Sequence, residues 1–268
     1  MAVLGSTTLV TGASEGIGRA VALDLASRGS HVIAVARTES RLDELVAEAD
    51  GTITPFVADL ADADDRTRLA VAHGDVDNLV NNAGVAWLGD VVDIPMEDLT
   101  ALVALNLLAP MDLTRRLLPQ MIARGSGHIV NIGSILGYAS TPPLVVYSAT
   151  KAGVGAFTEG LRREVTGTGV DVTLITPGAV NGTDALAAAG GAAEGAPLAR
   201  AFEATGVSPE RVATAVREAL EHPGWPGYRS FSVPRVAGMS RAAASPVGSF
   251  LIDGSLSIVR TLAGRRLH

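Results

Sequence analysis

Two side chains able to exchange a proton stand four residues apart in the stretch VVYSATKAG, namely Tyr147 and Lys151. Positions i and i+4 share one face of a helix, so the phenol and the ammonium are expected to point into the same space. A free tyrosine has a pKa of about 10, and a neighbouring ammonium favours the phenolate and lowers that pKa. Lys151 is the one lysine beside 20 arginines, which indicates that a compact ammonium is required there. The pair predicts a tyrosine general acid and base; the alternative is a buried aromatic residue whose hydroxyl has a partner.

Two further polar residues stand in apolar surroundings. Ser134 directly follows the run HIVNIG, which predicts a strand, and ligands of α/β folds bind at the carboxyl ends of strands. A nucleophilic serine would need a histidine base, and His128 lies six residues earlier on the same strand, which disfavours a serine hydrolase. Asn106, within LVALNLLAP, is either a satisfied buried amide or a member of the site.

A glycine-rich turn, TGASEGIG (11–18), joins the first predicted strand to the first predicted helix. Glycines let the turn tighten and let the backbone approach a pyrophosphate that binds at the helix N-terminus. The spacing is G-x-x-x-G-x-G, which differs from the usual G-x-G-x-x-G fingerprint. Because the turn lies at the first strand-to-helix junction, it favours dinucleotide binding over an ordinary turn.

The elements that must position these residues alternate between short β-branched runs and longer helical patterns. Apolar strands alternating with helices are typical of a doubly wound, Rossmann-like parallel α/β sheet with helices on both faces, here expected as one domain over residues 1–268. A stretch rich in Ala and Gly, 184–206, is expected to be a mobile segment beside the substrate. The predicted strands cover 7–11, 31–36, 52–58, 77–84, 128–134 and 170–178, and the predicted helices cover 16–29, 38–50, about 96–123 and 147–166.

Composition narrows the class of protein. A content of 47% hydrophobic and 18% charged residues is typical of a globular chain. The absence of cysteine excludes disulfides and thiolate sites and fits a reducing compartment, so a cytoplasmic location is expected. Neither a signal peptide nor a membrane-spanning segment is expected from the sequence. The net charge of −7 disfavours nucleic-acid binding. Residues 229–268 carry six arginines against Asp253; a solvated surface is favoured over contact with an acidic partner or a membrane.

Four motifs together resemble the short-chain dehydrogenase/reductase family. They are TGxxxGIG (11–18), NNAG (81–84), Ser134 and YxxxK (147–151), and they follow that family's order within residues 7–183. The resemblance implies an NAD(P)-dependent oxidoreductase that interconverts a ketone and a secondary alcohol, without a metal. It also implies a homo-oligomer, although the tail lacks the "DGG"-like turn of many tetrameric relatives.

The same resemblance implies roles for individual residues. Ser134 orients the substrate carbonyl, Tyr147 transfers the proton, Lys151 tunes the phenol and binds the nicotinamide ribose, and Asn106 supports a water that relays protons. Asp59 resembles an adenine contact, with capping of a helix that starts near Asp62 as the alternative. The cofactor contacts implied are Thr11, Gly12, Ser14, Gly16, Ile17, Gly18, Arg37, Asp59, Leu60, Asn82, Ala83, Gly84, Tyr147, Lys151, Pro177, Gly178, Val180 and Thr183.

The end of the second predicted strand bears on the choice of cofactor. NAD-preferring relatives usually carry an acid there, whereas this chain has Ala36 followed by Arg37. A guanidinium grips a 2′-phosphate that a carboxylate would repel, so NADP(H) is favoured over NAD(H). Glu15 opposes this preference, since many NADP relatives carry a basic residue there. The alternative is that Arg37 is a surface cation paired with Glu39.

The predicted substrate pocket is apolar, which favours a hydrophobic ketone or alcohol over a charged acid or a sugar phosphate. A rival function is a dinucleotide-sensing regulatory protein without catalysis, which the intact set of proton-transfer residues disfavours. The residues predicted to line the pocket are Ile135, Leu136, Tyr138, Pro142, Pro143, Leu144 and the segment 179–206.

Overall fold

The computed structural model describes residues 3–181, 206–223 and 230–233. Neighbouring strands in this part of the chain all run parallel, in the order β3-β2-β1-β4-β5-β6-β7. The parallel α/β sheet predicted from the sequence is therefore confirmed. Its strands are β1 (Thr7–Thr11), β2 (His31–Ala36), β3 (Ile53–Val57), β4 (Asn78–Asn81), β5 (Gly127–Ile132), β6 (Val170–Pro177) and β7 (Ser230–Val233).

Helices cover both faces of the sheet, because successive strand residues point to opposite sides. Leu9 packs in one apolar cluster with Leu117, while the next residue, Val10, packs in the other with Leu25 and Val216. The helices are α1 (Gly16–Ser27), α2 (Glu39–Glu48), α3 (Ala63–Ala72), α4 (Met96–Val103), α5 (Ala109–Arg124), α6 (Val145–Glu164) and α7 (Pro209–Glu221). None of these described helices is both long and apolar enough to cross a membrane.

The predicted strands and helices up to residue 178 all form, with ends displaced by a few residues. Helix α3 begins as expected after Asp62, whose carboxylate accepts from the amides of Asp64 and Asp65. Asp59 is not its cap, since it accepts from the amide of Ala61 instead. Helix α7 and strand β7 were not predicted. Thr183, nearly all of segment 184–206 and most of segment 229–268 lie outside the described residues.

The long helix predicted over 96–123 is interrupted at its centre. A π-helical segment, Ala104–Leu108, joins α4 to α5 and carries Asn106. Pro110 has no amide hydrogen to donate to the carbonyl of Asn106 four residues earlier, so regular α-helical bonding cannot continue through this point. The widened turn therefore has a local cause in the sequence, and π segments of this kind are frequent at functional sites.

A buried ion pair fixes the loop after β3 to helix α5. Arg66, 4% exposed, donates to Asp112 at 2.9 Å and to the carbonyls of Leu60 and Ala61 at 2.8 and 3.0 Å. Burial alone would raise the pKa of Asp112, but hydrogen bonds from Arg66, Arg115 and Arg116 lower it to about 2. The ionised carboxylate is thus part of the folded state at neutral pH.

We expect Asp112→Asn to lower the free energy of unfolding by about 1–2 kcal/mol at pH 7, because the buried Arg66 loses its charge partner. The folded pKa of Asp112 is depressed, so its contribution is present above its ordinary pKa of 3.8 and is lost as the pH falls towards about 2. Chemical denaturation at several pH values checks this, with the exposed Asp98→Asn as control. If the difference in free energy of unfolding between wild type and Asp112→Asn stayed unchanged down to pH 2, the depressed pKa of Asp112 would be contradicted.

Candidate active site

One cleft of about 360 Å³ lies at the carboxyl ends of the central strands, where the strand order reverses between β1 and β4. Ligands of open α/β sheets bind at this switch point. The cleft brings together most of the residues that the motifs singled out. Those that line it are Gly12, Ser14, Gly16, Ile17, Arg37, Asp59, Leu60, Asn82, Ala83, Gly84, Ser134, Tyr147, Lys151, Pro177, Gly178 and Val180.

The glycine-rich turn closes one end of the cleft through very close backbone contacts. Gly12 has φ +66°, and a Cβ on it would lie 2.9 Å from the Cα of Ala83. A Cβ on Gly18 would lie 2.1 Å from the carbonyl oxygen of Gly12. Gly18 does not line the cleft and has a packing role, since it lets α1 approach β1; its contact with a cofactor stays a prediction.

Thr11 likewise acts behind the cleft rather than in it. Its hydroxyl donates to the carbonyl of Val80 at 3.2 Å and accepts from the amides of Asn82 and Ala83 at 2.9 and 3.0 Å. The side chain is 1% exposed. The side chain therefore ties the end of β1 to the loop after β4, and its contact with a cofactor stays a prediction.

Ser134, Tyr147 and Lys151 meet at the other end of the cleft. Ser134 follows β5 and its hydroxyl accepts from the amide of Leu136 at 3.2 Å. Tyr147 and Lys151 lie on one face of α6, as their spacing predicts, with Nζ of Lys151 5.7 Å from the centre of the Tyr147 ring. Nζ also donates to the carbonyl of Ile132 at 2.9 Å, and Lys151 is only 6% exposed.

Burial dominates the proton affinities of this pair. It raises the pKa of Tyr147 to about 12, and the hydrogen bond with Ser134 acts in the opposite direction. Burial also lowers the pKa of Lys151 to about 8. The predicted lowering of the phenol pKa by the ammonium is thus wrong in direction for the chain alone, because the sequence argument considered the charge and not the loss of solvent.

Asn106 is buried beside the cleft and does not line it. Its Oδ1 accepts from the amide of Val85 at 2.9 Å, and its Nδ2 donates to the carbonyl of Val85 at 2.8 Å. Nδ2 also donates to the hydroxyl of Thr150 at 3.2 Å. The amide is therefore satisfied, as the first possibility states, while its membership of the site stays a prediction.

Arg37, which follows β2 and lines the cleft, is exposed and has no ion-pair partner within the described part of the chain. The alternative pairing with Glu39 does not form. Glu15 instead forms an ion pair with Arg41 of α2. The negative charge that opposed phosphate binding is thus offset by a neighbouring guanidinium.

The apolar end of the cleft differs in part from the prediction. Ile135, Leu136 and Leu144 line it, whereas Tyr138, Pro142 and Pro143 do not. Residues 141–144 form a turn in which the amide of Leu144 donates to the carbonyl of Thr141 at 2.9 Å, and the two end residues of this turn are the ones that line the cleft. Val85, Ala86, Leu105 and Thr141 line it without having been predicted; for Val85 and Ala86, their position directly after NNAG was the available signal.

Comparison with known proteins gives consistent matches. A family model described as short chain dehydrogenase matches residues 6–192. The uncharacterized short-chain type dehydrogenase/reductase y4eK of Sinorhizobium fredii is 41% identical over 216 residues, covering 80% of this chain and 85% of the relative. The closed form of serine dehydrogenase complexed with NADP+ has a TM-score of 0.78 at 30% identity, over 87% of this chain and 97% of that one. A bulky-bulky ketone specific alcohol dehydrogenase from Comamonas testosteroni has a TM-score of 0.74 at 26% identity, over 92% and 94%.

Proposed function

This chain belongs to the short-chain dehydrogenase/reductase family of NAD(P)-dependent oxidoreductases, and on that premise we propose that it interconverts a hydrophobic ketone and a secondary alcohol with NADP(H). The observation that carries the proposal is the meeting of Ser134, Tyr147 and Lys151 in the same cleft as the glycine-rich turn. A sensing protein would need the turn without the proton-transfer residues.

The residues of the turn fit a dinucleotide. Helix α1 has no acidic residue in its first turn, and the side chain of Glu15 does not cap it, so its first amides can receive a phosphate. Gly12 and Gly16 line the cleft without side chains, and a Cβ on Gly12 would lie only 2.9 Å from the Cα of Ala83. When bound, the nicotinamide donates or accepts the hydride.

The protein supplies the proton and the orientation. Tyr147 donates its phenolic proton to the carbonyl oxygen in reduction and accepts the hydroxyl proton in oxidation. Ser134, next to the phenol, donates a hydrogen bond to the same oxygen. A phenol whose pKa is raised to about 12 stays protonated at neutral pH, which suits the reductive direction.

Arg37 supports the choice of NADP(H). Its guanidinium lines the cleft and forms no ion pair with a described carboxylate, while Arg41 pairs with Glu15, which lines the same cleft. A 2′-phosphate placed beside Arg37 would meet a guanidinium without an ion-pair partner among the described residues. The serine dehydrogenase similar to this chain is complexed with NADP+.

We expect Arg37→Ala to weaken NADPH binding by about 10- to 100-fold, because a charge-assisted contact with the 2′-phosphate is lost. NADH binding should stay nearly constant, since NADH has no such phosphate. Fluorescence titration of both cofactors checks this. The exposed Arg163→Ala on α6 is the matched control. Equal affinity of the wild-type protein for NADH and NADPH would overturn the assignment.

The substrate end of the cleft supports a hydrophobic carbonyl compound. Leu105, Leu136 and Leu144 form its walls, and the cations among the described lining residues are Arg37, at the adenosine end, and Lys151. A carboxylate or phosphate on the substrate would therefore have no dedicated partner there. The alcohol dehydrogenase similar to this chain is described as specific for bulky-bulky ketones.

The test is consumption of NADPH with a panel of carbonyl compounds. We expect turnover of aryl and long-chain ketones and little turnover of 2-oxo acids or sugar phosphates of similar size. Preference for the anionic compounds would contradict the substrate class. Binding of NADPH without turnover of any carbonyl compound would favour the sensing protein.

A further inference from the structure

Asn106 has no amide hydrogen left for a ligand, because its side chain is committed to protein groups. It pairs with both backbone groups of Val85 and donates its second hydrogen to the hydroxyl of Thr150. The amide therefore joins the π-helical segment to the loop after β4 and to helix α6. Thr150 is the contact on α6.

Thr150 stands between Tyr147 and Lys151 in sequence but faces the protein interior. It is 3% exposed, and its hydroxyl donates to the carbonyl of Tyr147 at 2.7 Å. Because the hydrogen is used there, the oxygen accepts from Asn106 at 3.2 Å. One hydroxyl thus connects the turn of α6 that carries the phenol and the ammonium to Asn106.

The connection reaches the ammonium through Gly84. A Cβ on Gly84 would lie 3.1 Å from Oδ1 of Asn106 and 3.5 Å from Nζ of Lys151. Asn106, Gly84 and the ammonium therefore form one tightly packed junction. A shift of α6 against Asn106 would change the space and the solvent around Nζ.

We propose that Thr150 is a positioning residue, whose hydroxyl sets the place of Tyr147 and Lys151 against Asn106 and the loop after β4. Its importance for turnover rests on the proposed function, but its effect on the ammonium does not. The alternative is a buried hydroxyl that satisfies only its own helix, as Ser and Thr commonly do by bonding a preceding carbonyl.

Thr158 provides a matched control on the same helix. Its hydroxyl donates to the carbonyl of Val154 at 2.6 Å and accepts from Nδ2 of Asn131 at 2.9 Å, the same pattern that Thr150 makes with Tyr147 and Asn106. It is fully buried. Thr158→Val thus removes an equivalent buried hydroxyl two turns away from Lys151.

The single lysine gives a direct readout that needs no substrate. Protein labelled with carbon-13 at lysine Cε yields one lysine side-chain signal, and its pH titration reports the protonation of Lys151. Burial lowers the pKa of this group to about 8 from an ordinary 10.5. Because a looser junction admits water to the ammonium, Thr150→Val should raise the titration midpoint by about half a pH unit or more.

Thr150→Ser should restore the wild-type midpoint, because it keeps the hydroxyl. Thr158→Val should lower the melting temperature but leave the midpoint in place. Equal midpoints in wild type, Thr150→Val and Thr158→Val, or equal shifts in both valine variants, would overturn the proposal. If Thr150→Val does not fold, Thr150→Ala replaces it with the same expected results, because it removes the hydroxyl with a smaller side chain.

Turnover adds a second readout on the substrate identified by the panel. Thr150→Val should lower kcat and move the pH profile in step with the lysine midpoint, with NADPH affinity nearly unchanged. If the pH profile of kcat stayed normal although the titration midpoint of Lys151 moved, the proposal that Thr150 positions the reacting groups would be overturned. If the wild type reduces no carbonyl compound, the proposed function fails, while the lysine titration still decides what Thr150 does to Lys151.

Discussion

Tyr147→Phe is expected to lower turnover by about 10²–10⁴-fold and to leave NADPH binding within about twofold of wild type. The substitution removes the transferable proton and keeps the ring, which packs with Leu136 and Leu144 beside the cleft. The measurements are kcat on a substrate identified by the panel and the dissociation constant of NADPH from fluorescence titration.

Tyr138→Phe is the matched control, because Tyr138 belongs to the same region of the chain but does not line the cleft. It should retain wild-type turnover. Near-wild-type rates for Tyr147→Phe would remove the phenol from the mechanism. If Tyr147→Phe lost NADPH binding as well as turnover, the loss of turnover would not be due to the missing proton alone.

Lys151→Arg is expected to lower turnover by about 10²-fold although it keeps the positive charge, because a misplacement of about 1 Å at the reacting centre is that costly. Lys151 is only 6% exposed, and its Nζ donates to the carbonyl of Ile132 at 2.9 Å. A planar, forked guanidinium is wider than an ammonium and does not fit the same contacts.

The pH dependence of Lys151→Arg tests the same point independently. The wild-type rate should inflect near pH 8, where the buried Lys151 loses its proton. A guanidinium stays protonated throughout this range, so the inflection should be absent from the variant. A thermal melt checks folding, and Arg163→Lys, an exposed exchange in the opposite direction on α6, is the control. An unchanged rate and profile would mean that the single lysine has no special role.

The sequence by itself determined the architecture and most of the cleft. Strand and helix periods are local properties of the chain, so the runs at 7–11, 31–36 and 128–134 were predicted nearly to their ends. The motif residues lie at the carboxyl ends of parallel strands, and a parallel sheet brings such ends to one edge. Tyr147 and Lys151 share a helix face for the same local reason.

The bonding partners of the buried polar groups became known from the three-dimensional structure alone. The hydroxyl of Thr11 forms hydrogen bonds with residues that follow it by 69 to 72 positions in the chain, and Asn106 forms hydrogen bonds with Val85 and Thr150. No local sequence pattern specifies such pairings. Gly18 shares the motif of Gly12 and Gly16, and its packing role depends on the distance between a helix and a strand. These features require contacts between distant parts of the chain.

Burial was the other property that the sequence could not supply. The four-residue spacing correctly placed the ammonium near the phenol, but burial in the folded chain raises the pKa of Tyr147 to about 12. Burial is a collective property of every segment packed around the group, among them β5, the turn 141–144 and the loop after β4. Spacing along the chain thus specified which groups meet, and three-dimensional packing specified their proton affinities.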